Sequence, residues 1–329
     1  MLPKKALICG VTGQDGAYLA EFLLSKDYQF FGTSRDAQTA SFNNLKFLKI
    51  LDKVSCESMA HNDFRSVLQV LSKVDPDEIY NLAGQSSVGL SFEQPVETME
   101  SIAVGTLNLL EGVRFLGSSA RLYNAGSSEC FGNTGSRPAD EDTPFHPRSP
   151  YAVAKAAAHW EVATYRNAYR LYACTGILFN HESPLRPERF VTKKIVTSAC
   201  RIAKGASEKL RLGNIDVVRD WGWAPEYVDA MWRMLQQESP EDFVIATGES
   251  HSLREFVAMV FGALNLDWQD HVVTDPALLR LSDLSEGRAN SRRAEEILGW
   301  HASKRLGDVV SLLVQDQLEQ KAGYPGAMQ

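Results

Sequence analysis

The chain has 329 residues, 44% of them apolar and 23% charged, enough to bury a large core and typical of folded globular proteins rather than disordered or fibrous ones. With 41 acidic against 34 basic residues its net charge is -7, which argues against a nucleic-acid or membrane-surface partner held by bulk charge. No apolar run approaches the roughly 18 residues of a membrane span, and five scattered cysteines without a Cys-x-x-Cys pair and seven histidines without an i, i+4 pair offer no framework for disulfides or a metal.

The N-terminus passes from Lys4 and Lys5 straight into a short strand-like stretch with no leader-like cleavage site, so a cytoplasmic location with reduced thiols is expected. In chain order, short apolar runs at Ala6–Cys9, Gln29–Thr33, Lys53–Cys56, Glu78–Leu82, Arg121–Ala125 and Tyr172–Leu178 alternate with segments of helical period. The helices open near Gly13, Asn62 and Pro95 and at Ser149-Pro150, the last with a Ser cap and Pro in the first turn. The stiff loop 137–150, with Pro138, Pro144, Pro147 and Pro150, runs directly into that last helix.

Beyond Phe179 the pattern changes to Pro- and Arg-containing loops, with a strand-like return at Asp242–Ala246 and an amphipathic helix from Leu253 to about Leu264. The expected fold class is α/β, a doubly wound parallel sheet of Rossmann type with a smaller α/β substrate-binding lobe. Residues 1–179, with a return segment at about 218–248, form the dinucleotide-binding part; 180–217 and 249–329 form the smaller lobe.

Gly10-Val-Thr-Gly13-Gln-Asp-Gly16 follows the first strand and opens a helix. Glycines at this spacing let the chain turn tightly, approach a pyrophosphate and pack against the sheet, while the helix N-terminus presents unpaired N–H groups to the anion. Arg35 after the second strand suits the 2′-phosphate of NADP, whereas Asp36 beside it suits the ribose hydroxyl of NAD; NADP is the preferred reading and NAD stays open.

Tyr151 and Lys155, four apart at the start of a helix, project from one face and can act on one substrate atom. Bringing a phenol from about 10 to near neutrality takes roughly 4 kcal/mol of phenolate stabilisation, expected from the Lys together with an oxidised nicotinamide. A Tyr-x-x-x-Lys pair alone arises readily by chance in a chain with ten tyrosines. It gains weight from Ser127-Ser128-Glu129 after the strand Arg121–Ala125, where a hydroxyl can bond the reacting oxygen and Glu129 adds a second acid/base group.

These segments, with Asn81-Leu-Ala-Gly-Gln-Ser86, Pro147-Arg-Ser-Pro-Tyr151, Asn180-His-Glu-Ser-Pro184 and Gly213-Asn-Ile-Asp-Val-Val-Arg219-Asp-Trp-Gly222, resemble the GDP-mannose 4,6-dehydratase family of extended short-chain dehydrogenases from residue 5 to about 316. The resemblance implies Ser127, Glu129, Tyr151 and Lys155 as catalytic residues. It implies a cofactor site of Gly10, Thr12, Gly13, Gln14, Asp15, Gly16, Arg35, Leu82, Ala83 and Gln85 with Tyr151 and Lys155. GDP-mannose or a related nucleotide sugar would meet Ser86, Glu129, Asn180, Arg186, Lys194, Gly213, Asn214, Arg219 and Arg280, the last two arginines on the diphosphate. A homodimer or homotetramer is implied as well, with helices of the dinucleotide-binding domain as the dimer face. Trp221 and Trp223 are read as core.

The chain departs from the family at four places: Ser127 stands for Thr, Ser34-Arg35-Asp36-Ala37 for Arg-Arg-Ser-Ser, Ala60-His61 where an acidic residue meets the adenine, and Asp283 for Glu. Two alternatives compete. One is a related nucleotide-sugar 4-epimerase, 4-ketoreductase or dehydratase, against which Glu129 discriminates because epimerisation needs no carboxylate at C5. The other is a non-catalytic dinucleotide-binding protein, against which the intact Tyr151, Lys155, Ser127 and Glu129 argue.

Overall fold

The computed structural model describes residues 3–279 and 281–319. Its strands are β1 (Lys5–Cys9), β2 (Gln29–Ser34), β3 (Ser55–Ser58), β4 (Glu78–Asn81), β5 (Arg121–Ala125), β6 (Ala173–Leu178), β7 (Asn180–Glu182), β8 (Leu210–Leu212), β9 (Val218–Trp223), β10 (Phe243–Ile245), β11 (Ser250–Ser252) and β12 (Val272–Thr274). The helices are α1 (Gln14–Leu24), α2 (Asn43–Phe47), α3 (Phe64–Val74), α4 (Val88–Glu93), α5 (Pro95–Met99), α6 (Gly105–Phe115), α7 (Pro150–Tyr169), α8 (Val191–Ala203), α9 (Ala224–Gln236), α10 (Leu253–Gly262), α11 (Arg292–Leu298) and α12 (Leu306–Glu319).

Seven parallel strands form one sheet in the order β10-β6-β5-β4-β1-β2-β3. β1, β4 and β6 are buried on both faces, because helices cover the sheet from both sides and leave no face for water. One core packs α1 and α9 against the sheet through Leu19, Leu23, Tyr227 and Met231. The other packs α3, α6 and α7 through Val67, Leu71, Leu109, Leu110 and Val162. The doubly wound architecture is therefore the expected one.

Local chemistry explains the boundaries. The Ser149 hydroxyl accepts from the Ala152 N–H at 3.1 Å and Pro150 occupies the first turn, so α7 starts where the capping pattern put it. The third strand starts at Ser55 rather than Lys53, since Leu51–Lys53 closes a 3₁₀ turn first, and the following helix starts at Phe64 because Asp63 caps it. The helix that opens at Pro95 widens into a π segment at Glu100–Val104 before continuing as α6.

Of the return stretch 218–248, α9 and β10 join the large sheet, but β9 does not: it lies between β7 and β11 in a separate three-stranded sheet. Around that sheet and the β8–β12 pair, α8, α10 and α12 enclose a second core containing Trp221, Phe256, Val260 and Leu313, with Trp223 packed at its edge. Buried Asp220 on β9 accepts the N–H groups of Thr247 and Gly248 at 3.0 and 2.8 Å, tying the small sheet to the turn after β10. All five cysteines are free thiols, four of them buried, and among the described residues no helix is long and apolar enough to cross a membrane.

Candidate active site

The chain leaves β1 into a turn that only glycine can make. Gly10 has φ +84°, and a Cβ there would come within 3.0 Å of the Leu82 and Ala83 backbone; a Cβ on Gly16 would come within 2.4 Å of the Gly10 carbonyl oxygen. Gly13 at the start of α1 offers no capping side chain, so the first-turn N–H groups remain available to an anion. Glycine spacing, helix start and sheet edge thus fit the pyrophosphate of a dinucleotide. Arg35 stands at the end of β2 on an exposed loop and pairs with Glu97 at 3.1 Å, while Asp36 accepts the N–H groups of Gln38 and Thr39. The Thr12 carbonyl accepts from Asn44 at 2.9 Å, and the Gln14 side chain is taken up by protein contacts.

Beside this turn a cavity of about 400 Å³ opens at the carboxyl ends of β4, β5 and β6, the edge where open α/β sheets hold ligands. Leu82, Ala83, Gln85 and Ser86 border it after β4; Ser127 and Glu129 after β5; Tyr151 and Lys155 from α7. The Lys155 ammonium donates to the Ala125 carbonyl at 2.7 Å and lies 5.9 Å from the Tyr151 ring centroid. Burial lowers Lys155 to about 8. The expectation that Lys155 draws the phenol down is not met by the polypeptide alone: burial pushes Tyr151 well up, and its hydrogen bond with Ser127 offsets only part of that. The remaining phenolate stabilisation falls to a positive charge brought by a ligand.

The opposite wall carries Asn180, Arg186, Lys194, Gly213, Asn214 and Arg219. Arg219, buried, donates to the Val218 carbonyl at 2.9 Å and pairs with Asp283 at 3.3 Å. Arg186 pairs with Glu182 at 3.2 Å and lies over the Phe190 ring at 4.0 Å. Lys194 donates to the Arg211 carbonyl, Ser86 accepts from Arg189, and Asn214 accepts from the Asp216 N–H. The backbone passes close at Gly213, where a Cβ would meet the Leu278 carbonyl oxygen at 2.7 Å. Arg280 lies outside the described residues. Among the described residues, no cluster of His, Cys, Asp or Glu is arranged to hold a metal.

Sequence reasoning passed over one pair. His181 on β7 lies 2.9 Å from the Asp15 carboxylate on α1, and both border the cavity. Gln14 reinforces the junction, accepting from the Ser183 hydroxyl at 2.7 Å and donating to the His181 carbonyl at 3.2 Å. The signal was present in the Gln14-Asp15 and His181-Glu-Ser183 stretches, but nothing local says that segments 166 residues apart meet.

The model of the GDP-mannose 4,6 dehydratase family matches residues 7–313. A relative, GDP-mannose 4,6 dehydratase 1 of Arabidopsis thaliana, is 45% identical over 348 residues, covering 99% of this chain and 96% of its own. The chain belongs to the GDP-mannose 4,6-dehydratase family. Its fold is shared more widely. The NAD complex of dTDP-glucose 4,6-dehydratase from Bacillus anthracis superposes with a TM-score of 0.84 at 20% identity over 97% of this chain and 98% of the other. RMD of Pseudomonas aeruginosa, complexed with NADPH, gives 0.80 at 21% identity over 97% and 99%. A nicotinamide cofactor therefore suits this member of the dehydratase family.

Proposed function

We propose that the chain converts GDP-mannose to GDP-4-keto-6-deoxymannose by oxidation at C4, loss of water across C5 and C6, and reduction at C6. The observation that carries this reading is Glu129 in the same cavity as Ser127, Tyr151 and Lys155. A carboxylate poised beside the tyrosine serves elimination, whereas a 4-epimerase has no use for one. The match to the dehydratase family supports the same choice.

In this reading the Tyr151 phenolate, bonded by Ser127 and stabilised by the positive charge that the bound cofactor brings, takes the proton of the sugar 4-hydroxyl, with the Lys155 ammonium 5.9 Å from the ring centroid. The nicotinamide, when bound, supplies a hydride acceptor for C4 and a donor for C6 and ends as it began. Glu129 removes the C5 proton, acidified by the adjacent ketone, and passes it to the departing 6-hydroxyl, which leaves as water; the proton taken up by Tyr151 then goes to C5 as C6 is reduced, which restores the phenolate. Arg219 and Arg280 hold the diphosphate through paired N–H groups, and Arg186 is a further substrate contact.

NADP is the proposed cofactor, on the strength of the exposed guanidinium of Arg35 at the end of β2, which can exchange Glu97 for a 2′-phosphate. Arg35→Ala is expected to weaken NADP binding more than NAD binding; equal losses remove the preference. A homodimer or homotetramer is also proposed, because the packed helices α6 and α7 leave Leu107, Val153 and Trp160 exposed.

The deciding experiment is mass spectrometry and NMR of the product after incubation with GDP-mannose and catalytic NADP. Loss of one water with a C4 ketone and a C6 methyl is expected. An unchanged mass with inversion at C4 would replace the reading with epimerisation, and no change at all would refute it for this sugar.

A further inference from the structure

His181 is bracketed by two groups that can only accept. Its Nδ1 lies 2.7 Å from the Phe179 carbonyl oxygen and its Nε2 lies 2.9 Å from the Asp15 carboxylate. A neutral imidazole has one N–H and satisfies one of these contacts; a ring protonated on both nitrogens satisfies both. The ring is buried and stacks on Tyr227 of α9, centroids 4.6 Å apart, so its orientation is held from a third side.

We propose that His181 is a positioning residue held as an imidazolium, which neutralises the carboxylate in the first turn of α1 and ties the phosphate cradle to β7. The inference rests on the reading of the Gly10–Gly16 turn as a dinucleotide cradle. Asp15 sits where a pyrophosphate is drawn to the start of α1, and an uncompensated carboxylate there opposes that anion. With the imidazolium beside it, the pair presents no net charge. Asn180 lies next to His181 on β7 and Arg186 follows shortly after, so the same contact sets the sugar-nucleotide wall relative to the cofactor cradle.

The charges facing the pair are Arg186 after β7 and Lys155 from α7; Gln14 of α1, Ser183 and Tyr227 complete its surroundings. The proximity of His181 to Asp15 is consistent with the directions of their titration. Against its own burial, His181 is raised by Asp15, while Asp15 is held at about 2, with His181 the chief lowering influence.

Nitrogen-15 NMR of the full chain labelled at histidine tests the protonation directly, with His181→Asn used to assign the resonance. Both ring nitrogens of His181 are expected to carry hydrogen at neutral pH, with and without cofactor; a single neutral tautomer would overturn the proposal. Titration with NADP and with NAD tests the consequence. His181→Asn is expected to weaken the bound dinucleotide by about ten-fold or more, because it strands a carboxylate beside the phosphates. Asp15→Asn, which removes the carboxylate and lets the ring relax to a neutral form, should cost much less, and the double variant should recover most of the loss. Fully additive losses would mean that the contact only packs the junction, and would overturn the electrostatic role. Should the parent bind neither dinucleotide, the cradle reading fails, and with it the role assigned to the pair, whatever the ring protonation.

Discussion

Gly16→Ala places a methyl group against rigid neighbours. The added Cβ would stand 2.4 Å from the Gly10 carbonyl oxygen and 2.7 Å from Val11 Cα, about an ångström short of ordinary contact in the first case. Both obstacles are backbone, so no rotamer change relieves them. Either α1 withdraws from β1 or the Gly10–Gly13 turn opens, and overpacking of this kind costs about 1–3 kcal/mol. The expected result in thermal denaturation is a midpoint lowered by several degrees. The displaced turn should also weaken dinucleotide binding by at least about ten-fold, since the N–H groups that meet the phosphates move with it. Gly13→Ala is the informative contrast. Its backbone, at φ -73°, accepts a side chain, and the nearest atom to the new Cβ is 3.4 Å away, so stability should hold while the methyl obstructs the pyrophosphate. A Gly16→Ala protein with parental midpoint and parental cofactor affinity would refute the assignment of this turn as the cradle.

Further outcomes separate the remaining roles. Tyr151→Phe should remove hydride transfer and lower turnover by at least about a hundred-fold while nucleotide-sugar binding, measured by calorimetry, is nearly kept. Glu129→Gln should block water loss yet still allow the bound nicotinamide to be reduced, visible by absorbance; formation of the 6-deoxy product at the parental rate would show that Glu129 is not the base. His61 has both ring nitrogens buried without a hydrogen-bond partner, and burial lowers it from 6.5 to about 4. Its neutral form is the one the fold accommodates, so stability is whole above pH 6.5 and is lost as pH falls toward 4, by on the order of 3 kcal/mol. Chemical denaturation of His61→Leu across that window should show a shallower acid loss than the parent; parallel curves would disprove the assignment.

Much of this protein was legible in its order of residues because the determinants are local. Buried runs such as Ala6–Cys9, the Ser149 cap with Pro150, the Gly10–Gly16 spacing and the four-residue interval from Tyr151 to Lys155 each act within a turn or two of chain, where dihedral preference and side-chain period operate directly. The alternation of strands and helices then leaves few alternatives to a parallel sheet with its ligand edge at the strand carboxyl ends. What the tertiary structure alone decided depends on distant segments. The return segment from about 218 is expected to rejoin the dinucleotide-binding part, yet its β9 pairs with β7 and β11, with Trp221 buried in the second core beside Phe256. The upward displacement of Tyr151 follows from how deeply α7 is packed, which spacing does not encode. Most clearly, the meeting of Asp15 with His181 is made by the approach of α1 and β7, since a charge pair has no sequence period and exists only where packing brings its two halves together.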